Sequence, residues 1–385
     1  MSGRILTFTN LFPSAAFPTH GLFVRERMRR VAAASGLDWV VVCPVPKVPP
    51  VLRRGDYAAY AAMPERETVD GVEVWHPKYT HLPGFSTGRQ ANWMAKAALP
   101  FVQRLAADGP TVIDAHYVYP DGVAALQIGH ALGLPVVVTA RGTDINLLAG
   151  YPAVRAQIRR LAGKAAALQA VSEELRQRFV AAAGLDDGAV RLSRNGVDLQ
   201  RFIPGSPKRA REALGLPAAG QLVLGVGRLV EAKGFHHAVA ALEPLEGAQL
   251  VLIGDGPDRA NLQRAAGDRL IWLGKQPPDR VALAMQACDV LALPSEREGW
   301  PNVVTEALAC GLPVVASAVG AVPEMLASPV VGRAVPVGDV AALRAALAEV
   351  LSAPPERVAV RAHAEQFSWD QPIGDLVELL QGTLR

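Results

Sequence analysis

QLVLGVGRLVEAKG, residues 221–234, is the stretch on which the fold turns. The run Leu222–Val226 is apolar without alternation, and it breaks into a loop rich in glycine and charge. A run apolar on both faces suits a parallel strand covered by helices on both sides. The same unit recurs in either direction. Upstream lie Arg4–Thr9, Trp39–Cys43, Val112–Ala115, Val136–Thr139 and Leu168–Val171; downstream lie Leu250–Ile253, Leu270–Leu273, Val290–Leu293 and Val314–Ala316. Between them run Ala-, Leu- and Arg-rich segments of helical period, such as Leu22–Ala34 and Val340–Leu351. Strand–helix alternation of this kind predicts a doubly wound α/β protein. The segment RNGVDLQRFIPGSPKR, Arg194 to Arg209, breaks both periodicities with Gly and Pro, and a new strand series starts after it. The expected division is a first Rossmann-like domain over 1–200, completed by a returning helix over 370–385, and a second over 201–369. Ligands of open α/β sheets bind outside the carboxyl ends of the strands, so a cleft between two facing domains is the expected site.

Composition narrows the function classes. The 385 residues are 50% hydrophobic and 19% charged, which excludes a disordered chain. The formal net charge of +3 is small for this length and shows no concentrated basic stripe, which argues against nucleic acid as a partner. Cys43, Cys288 and Cys310 are widely spaced in apolar surroundings with no CxxC pair, the usage of a reducing compartment. The opening MSGRILTFTNLFPS lacks the features of a signal peptide, and no stretch reaches 18 uninterrupted apolar residues. The expectation is a cytoplasmic protein, peripheral at the inner face of the membrane.

Three features of the second half carry chemistry. GVGRLVEAKG sets Arg228 and Lys233 at a strand's carboxyl end, where two cations suit a diphosphate. Ile253-Gly-Asp-Gly-Pro257 is another strand end, with Gly254 at the turn and a following helix whose N-terminus suits an anion. The third is SEREGWPNVVTEALACGLPVVAS, residues 295–317. Here Glu298 lies in a loop, and a helix starting near Pro301 presents the backbone N–H groups of Asn302, Val303 and Val304 to a pyrophosphate. Glu306, about one turn inside, suits ribose hydroxyls, and Glu298 the hydroxyls of a sugar. Each residue alone reads as ordinary surface charge; the four charges together at matching strand ends do not.

The set Arg228, Lys233, Glu298 and Glu306, with seven residues between the glutamates, resembles glycosyltransferase family 4 of the GT-B fold. The resemblance extends through GKQP (274–277), NGVD (195–198) with Phe202, AVSEELR (170–176), TARGTD (139–144), DAHYVYPDG (114–122) and the opening NLFPSAAFPTHGLFVRER (10–27). It covers essentially the whole chain. It implies a retaining, metal-independent hexosyltransferase with no cofactor beyond its substrate, a UDP- or GDP-linked sugar. It further implies a saccharide or lipid-linked saccharide acceptor in polysaccharide or glycolipid synthesis. Residue by residue, it gives Arg228 and Lys233 the donor diphosphate, Glu306 the ribose and Glu298 the donor sugar. Gly21 would let the backbone approach the phosphates, and Lys275 and Gln276 would hold the base. Where many relatives carry a His, this chain has Arg141, placed to add positive charge near the leaving group. His116 is a further cleft candidate, and Asp144 and Asp121 are candidates on the acceptor side. No Asp-x-Asp element or metal-ligand spacing occurs, so no metal is expected.

Other readings fare less well. Gly84-Phe-Ser86-Thr-Gly88 fits the GxSxG pattern of a hydrolase, but the preceding residues do not read as the strand such an elbow needs. The dinucleotide fingerprint fails because Val230 stands at its third glycine position. A nucleotide-sugar 2-epimerase of the same architecture, or a non-catalytic nucleotide-sugar binding protein, are the alternatives. Arg25, Arg27, Arg29 and Arg30, with Trp93, Met94 and Phe101 of the segment Gln90–Leu105, suggest a face that rests on anionic lipid.

Overall fold

A computed structural model describes residues 3–384. The backbone divides into two compact units, one made of the residues up to Asn195 with those from Asp370 onward, the other of Gly196–Trp369. The first carries β1 (Arg4–Phe8), β2 (Asp38–Val42), β3 (Val45–Lys47), β4 (Arg66–Val69), β5 (Val72–Trp75), β6 (Lys78–Thr80), β7 (Thr111–His116), β8 (Val136–Ala140), β9 (Ala167–Ala170) and β10 (Val190–Leu192). The second carries β11 (Gln221–Val226), β12 (Ala248–Ile253), β13 (Leu270–Gly274), β14 (Val290–Leu293), β15 (Val314–Ser317) and β16 (Gly332–Val335).

Every apolar run singled out in the sequence is a strand. In the second unit the order is β13-β12-β11-β14-β15-β16, all parallel. This is the doubly wound arrangement, and its order reverses between β11 and β14. Val223, Leu250, Leu252, Val290 and Val315 are buried beneath Phe235, Leu242, Leu343 and Leu347 of flanking helices. The helix Val340–Ser352 starts where Asp339 accepts a hydrogen bond from the backbone N–H of Ala342.

The first unit's main sheet runs β10-β9-β8-β7-β1-β2-β5-β4, and its order reverses between β1 and β7. It is not wholly parallel: β4 pairs antiparallel to β5 through the turn at Asp70 and Gly71, both at positive φ. The signal for it was the Asp-Gly pair, which favours a two-residue hairpin turn. Strands β3 and β6 form a separate parallel pair. The helix Asp370–Thr383 packs on the helix Leu22–Ser35, where Gln381 Nε2 donates to the Ser35 carbonyl at 3.2 Å.

The Arg-rich helix Leu22–Ser35 departs from the lipid-facing reading. Arg27 is fully buried and its guanidinium donates to the carbonyls of Ser193 and Arg194. Arg25 pairs with Asp70, and Arg29 and Arg30 both pair with Glu26. In the helix Gln90–Ala106, Met94 is buried, while Phe101 meets Trp75 edge-on with 5.9 Å between centroids. The apolar side of that helix lies on its own unit.

Candidate active site

In the second unit the candidate residues come from loops at the carboxyl ends of β11 and β14, the two strands flanking the point where the sheet order reverses. The backbone N–H of Glu296 donates to the Ala232 carbonyl at 3.0 Å, which ties the loop after β14 to the loop after β11. Lys233 and Glu298 thereby meet: Lys233 Nζ donates to Glu298 Oε1 at 2.6 Å, with both side chains only partly exposed. The sequence separates these two by 65 positions and suggested separate partners for them; the fold makes them one ion pair. Arg228 stands exposed, and among the described ion pairs none includes it.

The helix after β14 spans Asn302–Ala309 with Pro301 at its cap. Val304 N–H is not available to a ligand, because it donates to the Pro301 carbonyl at 3.0 Å. Glu306 lies in the second turn at a half-buried position. Loss of solvent pushes its carboxyl up to about 7 against the opposing pull of Arg201. Trp300, just before the helix, is buried and meets Phe367 edge-on, an anchor that sequence reading missed.

At the end of β12, Gly254 has φ +132, and a side chain there would collide with the Gly227 carbonyl, whose oxygen would lie 1.8 Å from the Cβ. Its N–H donates to the Gly274 carbonyl at 2.8 Å, and its own carbonyl accepts from Trp272 Nε1 at 2.9 Å. Lys275 is exposed beside this turn, while Gln276 is partly spoken for by its bond to Arg280 at 2.9 Å.

The first unit's candidates gather where β1 and β7 separate. Thr9 Oγ1 donates to the His116 carbonyl at 3.4 Å, and Asp121 Oδ1 accepts from Asn10 N–H at 2.7 Å. Asp144 accepts from Val118 N–H at 2.7 Å and from Gly142 N–H at 2.8 Å. His116 is as fully buried as Asp121 and Asp144. Its Nδ1 accepts from Arg141 Nη2 at 2.6 Å, and its Nε2 lies 3.0 Å from Asp114 Oδ2 without the alignment of a hydrogen bond. Arg141 also donates to Asn195 Oδ1 at 2.9 Å and stacks against the Phe23 ring at 5.5 Å.

The electrostatics of this cluster follow from its burial. Burial drives His116 down to about 4, with Asp114 opposing, so the ring is neutral and its Nδ1 is free to accept. Burial also draws Arg141 down to about 9, with Arg27 adding to the fall, yet it stays charged at neutral pH. Burial works to raise Asp114, but His116, Arg27 and Arg141 outweigh it and leave the carboxyl below its ordinary value. Asp121 and Asp144 go the other way, because burial outweighs the backbone donors that face them. Arg141 thus holds His116, and both stand in a buried network that includes Asp114, Arg27 and Asn195. The sequence signal for that network was thin: Asp114 and Asn195 stand inside the quoted motifs, but nothing in their spacing pairs them with Arg141.

Gly21 has φ +67, and a Cβ there would lie 2.1 Å from the Leu11 carbonyl oxygen. The chain's own packing therefore demands this glycine. Among the described residues no group of three His, Cys, Asp or Glu side chains has metal-binding geometry, and no helix is long and apolar enough to cross a membrane.

Residues 24–201 match the family described as Glycosyltransferase Family 4, and residues 207–367 match Glycosyl transferases group 1. A putative teichuronic acid biosynthesis glycosyltransferase, TuaC of Bacillus subtilis, is 32% identical over 83% of this chain and 82% of its own length. The chain is a family 4 glycosyltransferase. D-inositol 3-phosphate glycosyltransferase of Mycolicibacterium smegmatis is 33% identical over 52% of the chain, and the match spans 49% of that relative's length. Among solved structures, sucrose-phosphate synthase from Thermosynechococcus elongatus superimposes with a TM-score of 0.79 at 21% identity, covering 99% of both chains. HepE of Anabaena, solved with UDP and glucose, gives 0.73 at 19% identity over 99% of this chain and 100% of its own. These likenesses establish the GT-B fold for this glycosyltransferase.

Proposed function

We propose that this glycosyltransferase is retaining and metal-independent. In this reading it moves a hexose from a UDP- or GDP-linked sugar to a saccharide or lipid-linked saccharide, at the membrane surface, in polysaccharide or glycolipid synthesis. The observation that carries the proposal is the Lys233–Glu298 pair at 2.6 Å, set where the strand order of the second sheet reverses. Likeness to a relative named for teichuronic acid biosynthesis supports a polysaccharide product.

Cleaving the bond between sugar and phosphate leaves negative charge on the nucleotide diphosphate and positive charge on the sugar. Lys233, Arg228 and the start of the helix Asn302–Ala309 are the groups that stabilise the departing charge. Glu298 takes the hydroxyls of the transferred sugar, and its bond to Lys233 couples sugar recognition to leaving-group stabilisation. Glu306 accepts from the ribose, and Lys275 with Gln276 borders the base. In the first unit Asp144, Asp121 and Arg141 are buried, and their bonds to the backbone and to His116 hold the loops that take the acceptor. The cations make a metal dispensable.

Thermal unfolding against UDP-, GDP-, ADP- and dTDP-sugars in chelating buffer tests this. A donor at a hundred times its dissociation constant adds about 2.7 kcal/mol to the folded state. One base family is expected to raise the midpoint, undiminished by chelator. A midpoint unmoved by every donor, or moved only with added metal, overturns the proposal.

A further inference from the structure

Eleven large hydrophobic side chains stand exposed among the described residues, and six of them lie in three loops of the first unit. They are Val51 and Leu52, Leu82 and Phe85, and Leu147 and Tyr151, with Phe85 88% and Val51 74% exposed. A soluble surface does not ordinarily concentrate them so. The first two loops leave the carboxyl ends of β3 and β6, which run parallel, so both emerge at the same end of that pair.

The loops are bound at their bases. The backbone N–H of His81 donates to the Lys47 carbonyl at 2.9 Å, and the Tyr57 hydroxyl lies 3.3 Å from His81 Nε2. Both ends of the Val51 loop are thus fastened to the Phe85 loop. Gln157 Nε2 donates to the Gly88 carbonyl at 2.8 Å, which fastens the Phe85 loop to the helix that follows Tyr151. Ser86, the serine of the GxSxG pattern, is 1% exposed; it accepts from Leu82 N–H at 3.3 Å and lies 3.0 Å from His81 Nδ1. It braces the loop and offers no nucleophile.

The stretches of chain that carry two of these loops are free of acids. From residue 74 to 107 the sequence has no acid and four cations, Lys78, Arg89, Lys96 and Arg104. From 145 to 172 it has no acid and four more, Arg155, Arg159, Arg160 and Lys164. The whole chain carries only +3, so these stretches are more basic than the rest of the sequence. Lys47, Arg53, Arg54, Arg89 and Arg155 are exposed on or beside the three loops, and none pairs with a carboxylate among the described residues. Asp56 is the one acid within the first loop.

We propose that these three loops are a docking surface for an anionic phospholipid bilayer. Separate apolar tips interleaved with unpaired cations match a plane of phosphates with hydrocarbon beneath it. Phe85, Leu82, Val51 and Tyr151 enter the boundary between headgroups and acyl chains, and the cations meet the phosphates. The helix Leu22–Ser35 takes no part, its arginines being buried or paired. The inference rests on the reading of a lipid-linked acceptor and explains how that acceptor is reached. Leu147 follows Asp144 by three residues, and the Tyr119 hydroxyl, from the turn that carries Asp121, donates to the Thr87 carbonyl of the Phe85 loop.

The test is co-sedimentation of the full chain with vesicles of phosphatidylglycerol or of phosphatidylcholine at low salt. The protein is expected to pellet with the first and stay in the supernatant with the second. Arg53→Ala with Arg54→Ala is expected to lower partitioning about 25-fold, roughly fivefold per cation. Phe85→Ser is expected to lower it about tenfold, and Arg29→Ala to leave it unchanged. Wild-type protein left in the supernatant with phosphatidylglycerol overturns the proposal, as do loop variants that pellet undiminished. A Phe85→Ser effect on self-association in place of vesicle binding would make the surface a protein interface and overturn it too. Donor-induced thermal shifts on the same samples without vesicles report separately on the glycosyltransferase reading.

Discussion

Lys233 is the side chain whose loss tests the site most sharply. It is bonded to Glu298 before any donor arrives, so Lys233→Ala removes a cation from the leaving group and breaks the ion pair to a half-buried carboxylate. Turnover is expected to fall on the order of 10²–10³-fold, measured as sugar transfer at saturating donor. A variant with full turnover would refute the assignment. Glu306 makes a pH prediction. Its carboxyl is pushed up to about 7, so the ionised form, the stronger hydrogen-bond acceptor, is reached only as pH passes neutrality. The donor's phosphates are ionised throughout this range, so donor affinity should tighten between pH 6 and 8 in wild type and lie flat in Glu306→Gln, read by titration calorimetry. The sign for stability is opposite. A folded-state value above the unfolded one means the folded chain binds the proton more tightly, so this residue's contribution to stability declines as pH rises from about 4.5 to about 7. The four candidate charges Arg228, Lys233, Glu298 and Glu306 were legible in the sequence because they lie in the loops and helix start that follow β11 and β14. The bond between two of them was not, because no spacing announces a contact across 65 positions.

At the scale of elements, short motifs turn out to be punctuation for helices and strands. In AVSEELR, Ala170 closes β9 and Ser172 caps the helix Glu173–Ala183 by accepting from Leu175 N–H at 3.3 Å. Glu173 and Glu174 sit in the first turn, where the helix dipole favours them, and Arg176 joins Glu173 to Asp187. Ser172→Ala should cost about 1 kcal/mol and lower the unfolding midpoint by about 2–4 °C without changing donor affinity. A fall in donor affinity alone would give the motif a role beyond capping. The strands that escaped sequence reading, β3 to β6, β10 and β16, have three or four residues each. So short a run carries too few positions to show a period, and β4 has no buried position while β5 is buried only at its last two.

Over the whole molecule the sequence determined a great deal by itself. Continuous Val, Ile and Leu runs separated by helical segments are satisfied only by parallel sheets covered on both faces, and the Gly- and Pro-rich stretch after Arg194 ends one series before the next begins. The doubly wound fold followed from those features, the family from the resemblance carried by the charged motifs, and both hold. Tertiary structure decided which cations reach the surface. Arg27 and Arg29 look alike in a basic helix, yet one is sealed inside the first unit and the other is exposed at the surface. It also decided that His116 and Arg141 act on each other within a buried network, and that six of the eleven exposed large hydrophobic side chains described lie on three loops far apart in the chain. The physical reason is common to these cases. Period and strand ends are local properties that a sequence displays directly. Burial, ion pairing and the grouping of loops depend on which strands become neighbours, and the order of a sheet is settled by packing between segments a hundred residues apart.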